Sequence, residues 1–345
     1  MGRANSSFLP WLAIADETPR FIDALSELRE KTPLKPVTPA LVREARDRIA
    51  NRVRRTPVWT LPHGAFGHQG PVSMKLELFQ HAGSFKTRGA FNTLLEASNP
   101  AKVAAASGGN HGAAVAYVCK ELGLQARIFV PEISSPAKIA LIRSFGAEIV
   151  IGGARYADAQ EACDRYVDET GAFRVHPFDA PMTIAGQGTV ALEWSEDAEL
   201  DTVLVAVGGG GLIAGMGAFW DRSVRVVGVE PSGSRALHAA LEAGRPVDVV
   251  VESSAADSLG ARSTGALVHS IASRVVDRVV LVSDQAIHQA QRTLWRDWRI
   301  AAELGGCAAL AGLMSGAYVA SPEERVGVLL CGANVDLEKL AVATA

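Results

Sequence analysis

Lys86 lies in the run Gln80-His81-Ala82-Gly83-Ser84-Phe85-Lys86-Thr87-Arg88-Gly89-Ala90, where the chain turns toward a helix with a glycine on either side. A lysine in an apolar turn loses part of its charge to desolvation, and a neutral amine is a nucleophile. Three other stretches could do chemistry. Gly208-Gly209-Gly210-Gly211 follows an apolar strand and precedes a helix that starts near Leu212. Such a loop presents several N–H groups at a helix N-terminus, which suits a phosphate. The plainer reading is a tight turn with close packing, for which two glycines would do. Ser107-Gly108-Gly109-Asn110-His111 stands between a strand and a helix. It is either an anion pocket suited to a carboxylate or an ordinary helix cap by Ser107 or Asn110. Cys331-Gly332 ends an apolar strand. A lone buried cysteine is usually a small hydrophobe, but strand C-terminal ends are where open α/β sheets bind ligands.

A cofactor with a phosphate and a lysine-reactive aldehyde would tie these pieces together, and pyridoxal 5'-phosphate is such a cofactor. A reading from a different class competes. Gly209-x-Gly211-x-x-Ala214 fits the relaxed dinucleotide fingerprint, with Glu230 about where a ribose would need it. A NAD-dependent dehydrogenase using the 208–214 loop would leave the other glycine-rich segments unexplained.

The chain resembles the fold type II pyridoxal-phosphate enzymes, and within them the serine/threonine dehydratases (threonine ammonia-lyases), with serine racemase a close cousin. Four ordered motifs carry the resemblance: Ser84–Ala90, Ser107–Gly112, Gly208–Leu212 and Cys331–Asn334. Ala185–Thr189 and Asp257–Gly260 lie between them and also match. The resemblance implies a tryptophan synthase β-like fold and β-elimination of L-threonine or L-serine to a 2-oxo acid and ammonia. It implies that Lys86 forms the Schiff base and then acts as base at Cα, and that Phe85 packs on the ring. Asn110 would bond the ring hydroxyl, Gly208, Gly209, Gly210, Gly211 and Leu212 would hold the phosphate, and Cys331 would face the ring nitrogen. Ser107, Gly109, Asn110 and His111 would receive the substrate carboxylate. A thiol rather than a carboxylate opposite the nitrogen would make the ring a milder electron sink, suited to elimination. A 3-hydroxyaspartate or a hydroxyectoine-degradation intermediate is the alternative substrate type, and amino-acid racemisation the alternative activity.

Three departures qualify the resemblance. Racemases of this group carry a second serine where this chain has Gly108, which argues against racemisation. Relatives with a divalent-metal site have an aspartate where this chain has Ala236; Glu230 and Ser234 match, so a cation is left in doubt. The chain stops soon after the Cys331 strand, so a C-terminal regulatory domain with isoleucine feedback is not expected.

The elements that must position these residues alternate strand and helix, which gives an α/β class with two open, mostly parallel, twisted sheets. Thr38-Pro39 opens a helix whose Leu41, Ala45, Ile49 and Val53 recur on one face. Strands are expected at 102–106, 126–130, 148–151, 202–207, 225–229, 276–282 and 326–330. Helices are expected at 110–122, from Ser135-Pro136 to Gly146, and at 284–303, with a small-residue helix after that. Residues 1–36 form an extension with a short helix from Thr18 to Leu28. Residues 37–90 and 184–345 form the large cofactor-binding domain, and 91–183 a small domain.

The 345 residues are 48% apolar, enough for a large core, and the net charge of −3 is interspersed, so no nucleic-acid footprint is expected. Cys119, Cys163, Cys307 and Cys331 form no CxxC pair, which argues against zinc and disulfides. The uncharged stretches 202–220 and 304–322 fit buried small-residue segments better than membrane spans. A cytoplasmic homodimer acting on a small amino acid, with no membrane partner, is the resulting expectation.

Overall fold

The structure, a computed structural model, describes residues 36–98 and 100–344. The expected helix from Thr18 to Leu28 lies outside them. Val37–Ala345 forms one compact unit. Its first helix, α1 (Pro39–Ile49), starts as its sequence demands: the Thr38 hydroxyl accepts the Leu41 N–H at 3.2 Å, and Pro39 takes the first helical position. Leu41, Ala45 and Ile49 are buried, while Val53 lies beyond the helix end.

There follow β1 (Val58–Leu61), β2 (Val72–Lys75), α2 (Lys86–Glu96), β3 (Lys102–Ala106), α3 (Asn110–Leu122) and β4 (Gln125–Val130). Next come α4 (Pro136–Ser144), β5 (Glu148–Ile151), α5 (Tyr156–Thr170), β6 (Phe173–Arg174), α6 (Pro181–Asp197) and β7 (Thr202–Ala206). Then come α7 (Gly211–Trp220), β8 (Arg225–Pro231), α8 (Ala236–Ala243), α9 (Ala256–Leu259), α10 (Ala266–Val275) and β9 (Arg278–Val282). The chain closes with α11 (Asp284–Trp298), α12 (Leu304–Met314), β10 (Val326–Leu329) and α13 (Leu337–Thr344).

Two sheets result. One runs β1-β2-β10-β7-β8-β9, antiparallel only at β1–β2. The other runs β5-β4-β3-β6 and is parallel throughout. In each, strand order reverses once: β10 returns to lie beside β7, and β6 returns to lie beside β3. Ligands bind outside the carboxyl ends of strands at such reversals. Gly208, Cys331 and Ser107 follow β7, β10 and β3 respectively, so three of the four motifs sit at those ends.

The uncharged stretch 202–220 is β7 and α7, both buried almost throughout, and 304–322 contains the equally buried α12. No helix among the described residues is long and apolar enough to cross a membrane. The helix expected over 284–303 stops at Trp298, because Arg299 turns left-handed (φ +57°) and the next residues lead to Glu303. That stop is hidden from sequence reading, since arginine rarely adopts this conformation.

Beneath α2 lies a cluster of buried charges that motif reading missed. Arg88 donates to both Glu77 oxygens, at 2.6 and 2.9 Å, and to Glu193 at 2.9 Å. Lys75, on the buried strand β2, donates to Glu193 at 2.6 Å and to the Thr56 carbonyl at 2.8 Å. Burial alone would raise the Glu77 pKa, but the charge and hydrogen bonds of Arg88 and the Thr56 hydroxyl hold it below the ordinary carboxylate range. Two cations and two anions balance, and the cluster pins the first turn of α2 to β2 and α6. Arg88→Met would leave two facing carboxylates in the interior. It is expected to cost about 3–5 kcal/mol, read as a lower urea midpoint. A loss below about 1 kcal/mol would show that α2 is held by its apolar contacts instead.

Candidate active site

Lys86 is the first residue of α2, and the turn before it is stitched to the end of β10. Ser84 and Gly332 form an isolated antiparallel bridge. The Phe85 N–H donates to Cys331 O at 3.3 Å, and the Ala333 N–H to Gly83 O at 2.9 Å. Asn334 Nδ2 donates to Ala82 O at 2.8 Å. Gly83 (φ +73°) must be glycine, because a Cβ there would overlap the Asn334 side chain. This turn therefore sets Lys86 beside Cys331.

The Lys86 ammonium donates to Pro177 O at 2.7 Å and lies 5.3 Å from the Phe85 ring centroid. Loss of water brings its pKa down to about 8, with Cys331 opposing in part. Two imidazoles nearby stay neutral. Burial, with help from the Lys86 charge, lowers His111 to about 3. Burial lowers His176 to about 4, with Arg174 and Lys86 adding to it. The His111 Nε2–H donates to Val175 O at 2.9 Å, and His176 Nδ1 accepts the Asp179 N–H at 2.8 Å.

The segment Val175-His176-Pro177-Phe178-Asp179 thus joins the motifs, and sequence reading missed it. Its signal was a His-Pro-Phe-Asp run between β6 and a proline-started helix. It also supports the glycine loop. A Cβ on Gly209 would overlap the Phe178 ring, and one on Gly211 would press on the Phe178 backbone. Gly210 is left-handed (φ +86°). Packing therefore accounts for three of the four glycines, and the expectation that a turn needs only two is corrected. What suits an anion is the N-terminus of α7, whose opening N–H groups lack intrahelical partners. Leu212 is buried in that first turn.

Ser107 and Gly109 precede α3, which Asn110 and His111 open. Ser107 Oγ accepts the Gly109 N–H at 3.2 Å, so it shapes the loop rather than capping the helix. Asn110 Oδ1 accepts from Asn334 at 2.8 Å, and its Nδ2 donates to Glu303. Gly108 has no room for a side chain: a Cβ there would overlap Ser134 Oγ and Cβ.

Cys331 donates to Gly305 O at 3.5 Å. Burial, and secondarily Glu303, pushes its pKa up to about 12, so it stays a thiol. Glu230 and Ser234 are not drawn into this constellation. Both Glu230 oxygens accept backbone N–H groups, of Leu237 and His238, at 2.9 Å, and Ser234 donates to Leu259 O at 2.6 Å. Burial pushes Glu230 up to about 7. Among the described residues no cluster of three or more His, Cys, Asp or Glu side chains could hold a metal ion.

The donor set suits a group with an aldehyde, an aromatic ring and a phosphate. It offers an amine half-neutral near pH 8, a neutral thiol, a helix N-terminus bare of side chains and, at Ser84, a buried hydroxyl without a partner among the described residues. Gly108→Ser is expected to strain the Ser107–His111 loop and lower the melting temperature, and a second change, Ser134→Gly, should recover part of the loss, since Val130 also presses on that position. Equal melting temperatures for Gly108→Ser and the unmodified chain would contradict the overlap.

Over residues 49–332 the chain matches the family described as pyridoxal-phosphate dependent enzyme. It is 39% identical over 306 residues to phenylserine dehydratase of Ralstonia pickettii, covering 86% of this chain and 93% of that relative. It is 35% identical over 309 residues to L-threonine ammonia-lyase of Geobacter sulfurreducens, covering 88% of this chain and 77% of that relative. The structure of maize serine racemase superposes with a TM-score of 0.81 at 32% identity, covering 90% of this chain and 97% of that one. These matches overturn the dehydrogenase reading of the 208–214 loop, and Glu230, engaged in capping α8, has no ribose to meet. The chain belongs to the fold type II pyridoxal-phosphate dependent enzymes, and pyridoxal 5'-phosphate is its cofactor.

Proposed function

We propose that this enzyme is an ammonia-lyase that converts a neutral β-hydroxy amino acid, L-threonine or L-serine first, to a 2-oxo acid and ammonia. The observation that carries the reading is Lys86: an amine at the start of α2, kept from water, with its pKa at about 8. A β-hydroxy amino acid with an aromatic side chain is the second reading, supported by the identity to a relative named for phenylserine.

When bound, pyridoxal phosphate supplies an aldehyde that condenses with amines and a ring that withdraws electrons from the substrate's Cα. This chain's residues do the rest. Lys86, neutral when its proton is lost, would carry the cofactor on its Nζ, and when free of it the same nitrogen would hold the proton taken from the substrate's Cα. Phe85 would flank the ring, and the Asn110 amide would bond the ring hydroxyl. The backbone of Gly208–Gly211 and Leu212 at the α7 N-terminus would hold the phosphate. The Cys331 thiol, neutral at working pH, would set no negative charge against the ring nitrogen. Ser107, Gly109, Asn110 and His111 at the α3 N-terminus receive the substrate carboxylate. His111, uncharged and turned to Val175, contributes through its backbone N–H. Residues 37–90 with 184–345 would form the cofactor lobe and 91–183 the smaller one. Strands β1, β2 and β7–β10 fall in the first and β3–β6 in the second, which supports the division.

Purified protein is expected to absorb in the violet and to lose that band with borohydride. Lys86→Ala should lack the band and lose about 10²–10⁴-fold or more in turnover. Ammonia and 2-oxo acid release, measured over threonine, serine, phenylserine and 3-hydroxyaspartate, ranks the substrates. Best turnover on 3-hydroxyaspartate would sink the neutral-substrate reading. A pH profile gives a separate check. Only the neutral amine attacks the aldehyde, so capture of pyridoxal phosphate by cofactor-free protein should speed up as pH rises, half-maximal near pH 8. A midpoint in the ordinary lysine range would show that Lys86 is not desolvated.

A further inference from the structure

Lys138 is buried, and no step proposed above uses it. It sits on α4, beside the four-stranded sheet, with 4% of its surface exposed. Its ammonium lies 3.0 Å from Glu303 Oε2 and 2.6 Å from Asp257 Oδ2. Burial would strip its proton, but Glu303 and Asp257 outweigh burial and raise its pKa. Lys138 is therefore a permanent cation.

Glu303 carries that charge into the site. Its residue is 5% exposed, and its other oxygen accepts from Asn110 Nδ2. Its backbone N–H donates to Gly332 O at 3.2 Å, and a Cβ on Gly332 would overlap its carboxylate. The carboxylate is thus wedged between Asn110 and the strand end that bears Cys331. A buried carboxylate in such a place needs a counter-charge.

We propose that Lys138 is a positioning residue that acts through Glu303 to fix the orientation of the Asn110 amide. This rests on the role given to Asn110 above. A primary amide has one accepting and one donating end, and its neighbours decide which way it faces. A carboxylate paired with an ammonium accepts, so Glu303 holds Nδ2 toward itself and leaves Oδ1 for Asn334. The second N–H of Nδ2 is then the donor left for the cofactor's ring hydroxyl. Without Lys138, the carboxylate loses the partner that holds it in place, and the Asn110 amide loses the fixed acceptor that sets which way it faces. The three side chains come from α4, α3 and the residue before α12, so the device spans both sheets.

The test measures pyridoxal phosphate affinity, by titrating cofactor-stripped protein and following the violet band. Lys138→Met is expected to weaken binding by about tenfold or more, the size of a lost charge-assisted hydrogen bond. Adding Glu303→Gln should bring affinity back to within about threefold, since a neutral amide needs no counter-charge and still accepts from Asn110. Asp257→Asn, at a half-exposed position on the rim, should stay within about twofold of the unmodified chain. Unchanged affinity in Lys138→Met overturns the proposal. So does a double variant as weak as the single one, which would mean that Lys138 acts through Asp257 or through folding alone. Lys138→Gln is read by the same criteria if Lys138→Met does not fold. Should the unmodified protein lack a borohydride-sensitive band, the cofactor role of Lys86 fails first, whatever the variants do.

Discussion

The Lys86 ammonium is held by a carbonyl instead of a carboxylate, and the site depends on that choice. Among the described residues three lysines are wholly or partly withdrawn from water, and their partners set them apart. Lys138 faces two carboxylates and is pushed toward permanent charge. Lys75 faces Glu193 inside a balanced cluster, and burial still lowers its pKa. Lys86 has Pro177 O, and among the described residues no acidic side chain pairs with it. A dipole compensates lost hydration less than a full opposite charge does, so the amine gives up its proton near pH 8. A carboxylate within hydrogen-bond reach of the Lys86 nitrogen would instead favour the charged amine.

Everything packed near that nitrogen is consistent with it. His111 and His176 are uncharged, each with a hydrogen bond to backbone. Cys331 is kept as a thiol by the same burial, with Glu303 pushing in the same direction. Near the site, two groups of charges, most of them buried, are paired among themselves. One is Lys75, Glu77, Arg88 and Glu193 beneath α2; the other is Lys138, Glu303 and Asp257 beside Asn110. The first group fixes where α2 begins, and so where Lys86 stands. Charge is used here to hold elements in place and is kept from the amine that must lose its own.

The sequence made the local features legible. Thr38-Pro39, the strand-end loops and the glycine run are patterns of neighbouring residues, and the structure has them where the pattern put them. What stayed hidden joins distant residues. Asn110 and Glu303 are 193 positions apart, and Lys138 and Glu303 are 165 apart. Lys75 reads as a surface residue until β2 is seen between β1 and β10, buried at every position. The glycine run is legible as a ligand loop, but its packing against the Phe178 ring is not. Ala82 and Gly83 are settled in the same way by Asn334, which no local pattern ties to them.

The two sheets have separate apolar cores, one cluster built on the six-stranded sheet and two that include alternate residues of β3 and β4 in the four-stranded sheet. The links across the site are largely polar: Lys138 to Glu303 and Asp257, Asn110 to Glu303 and Asn334, Lys86 to Pro177. A seam of this kind differs from a buried apolar one. Parting apolar faces exposes hydrocarbon to water, whereas parted polar groups exchange one partner for a water molecule. Parting such a seam would therefore cost less free energy than parting an apolar one of the same area. Glu303 lies at the junction of that seam with the site: it accepts from Asn110, pairs with Lys138 and abuts Gly332. Through that one carboxylate α4, by Lys138, is joined to the start of α3, by Asn110, and to the end of β10, by Gly332, so the orientation of the Asn110 amide depends on contacts from three elements.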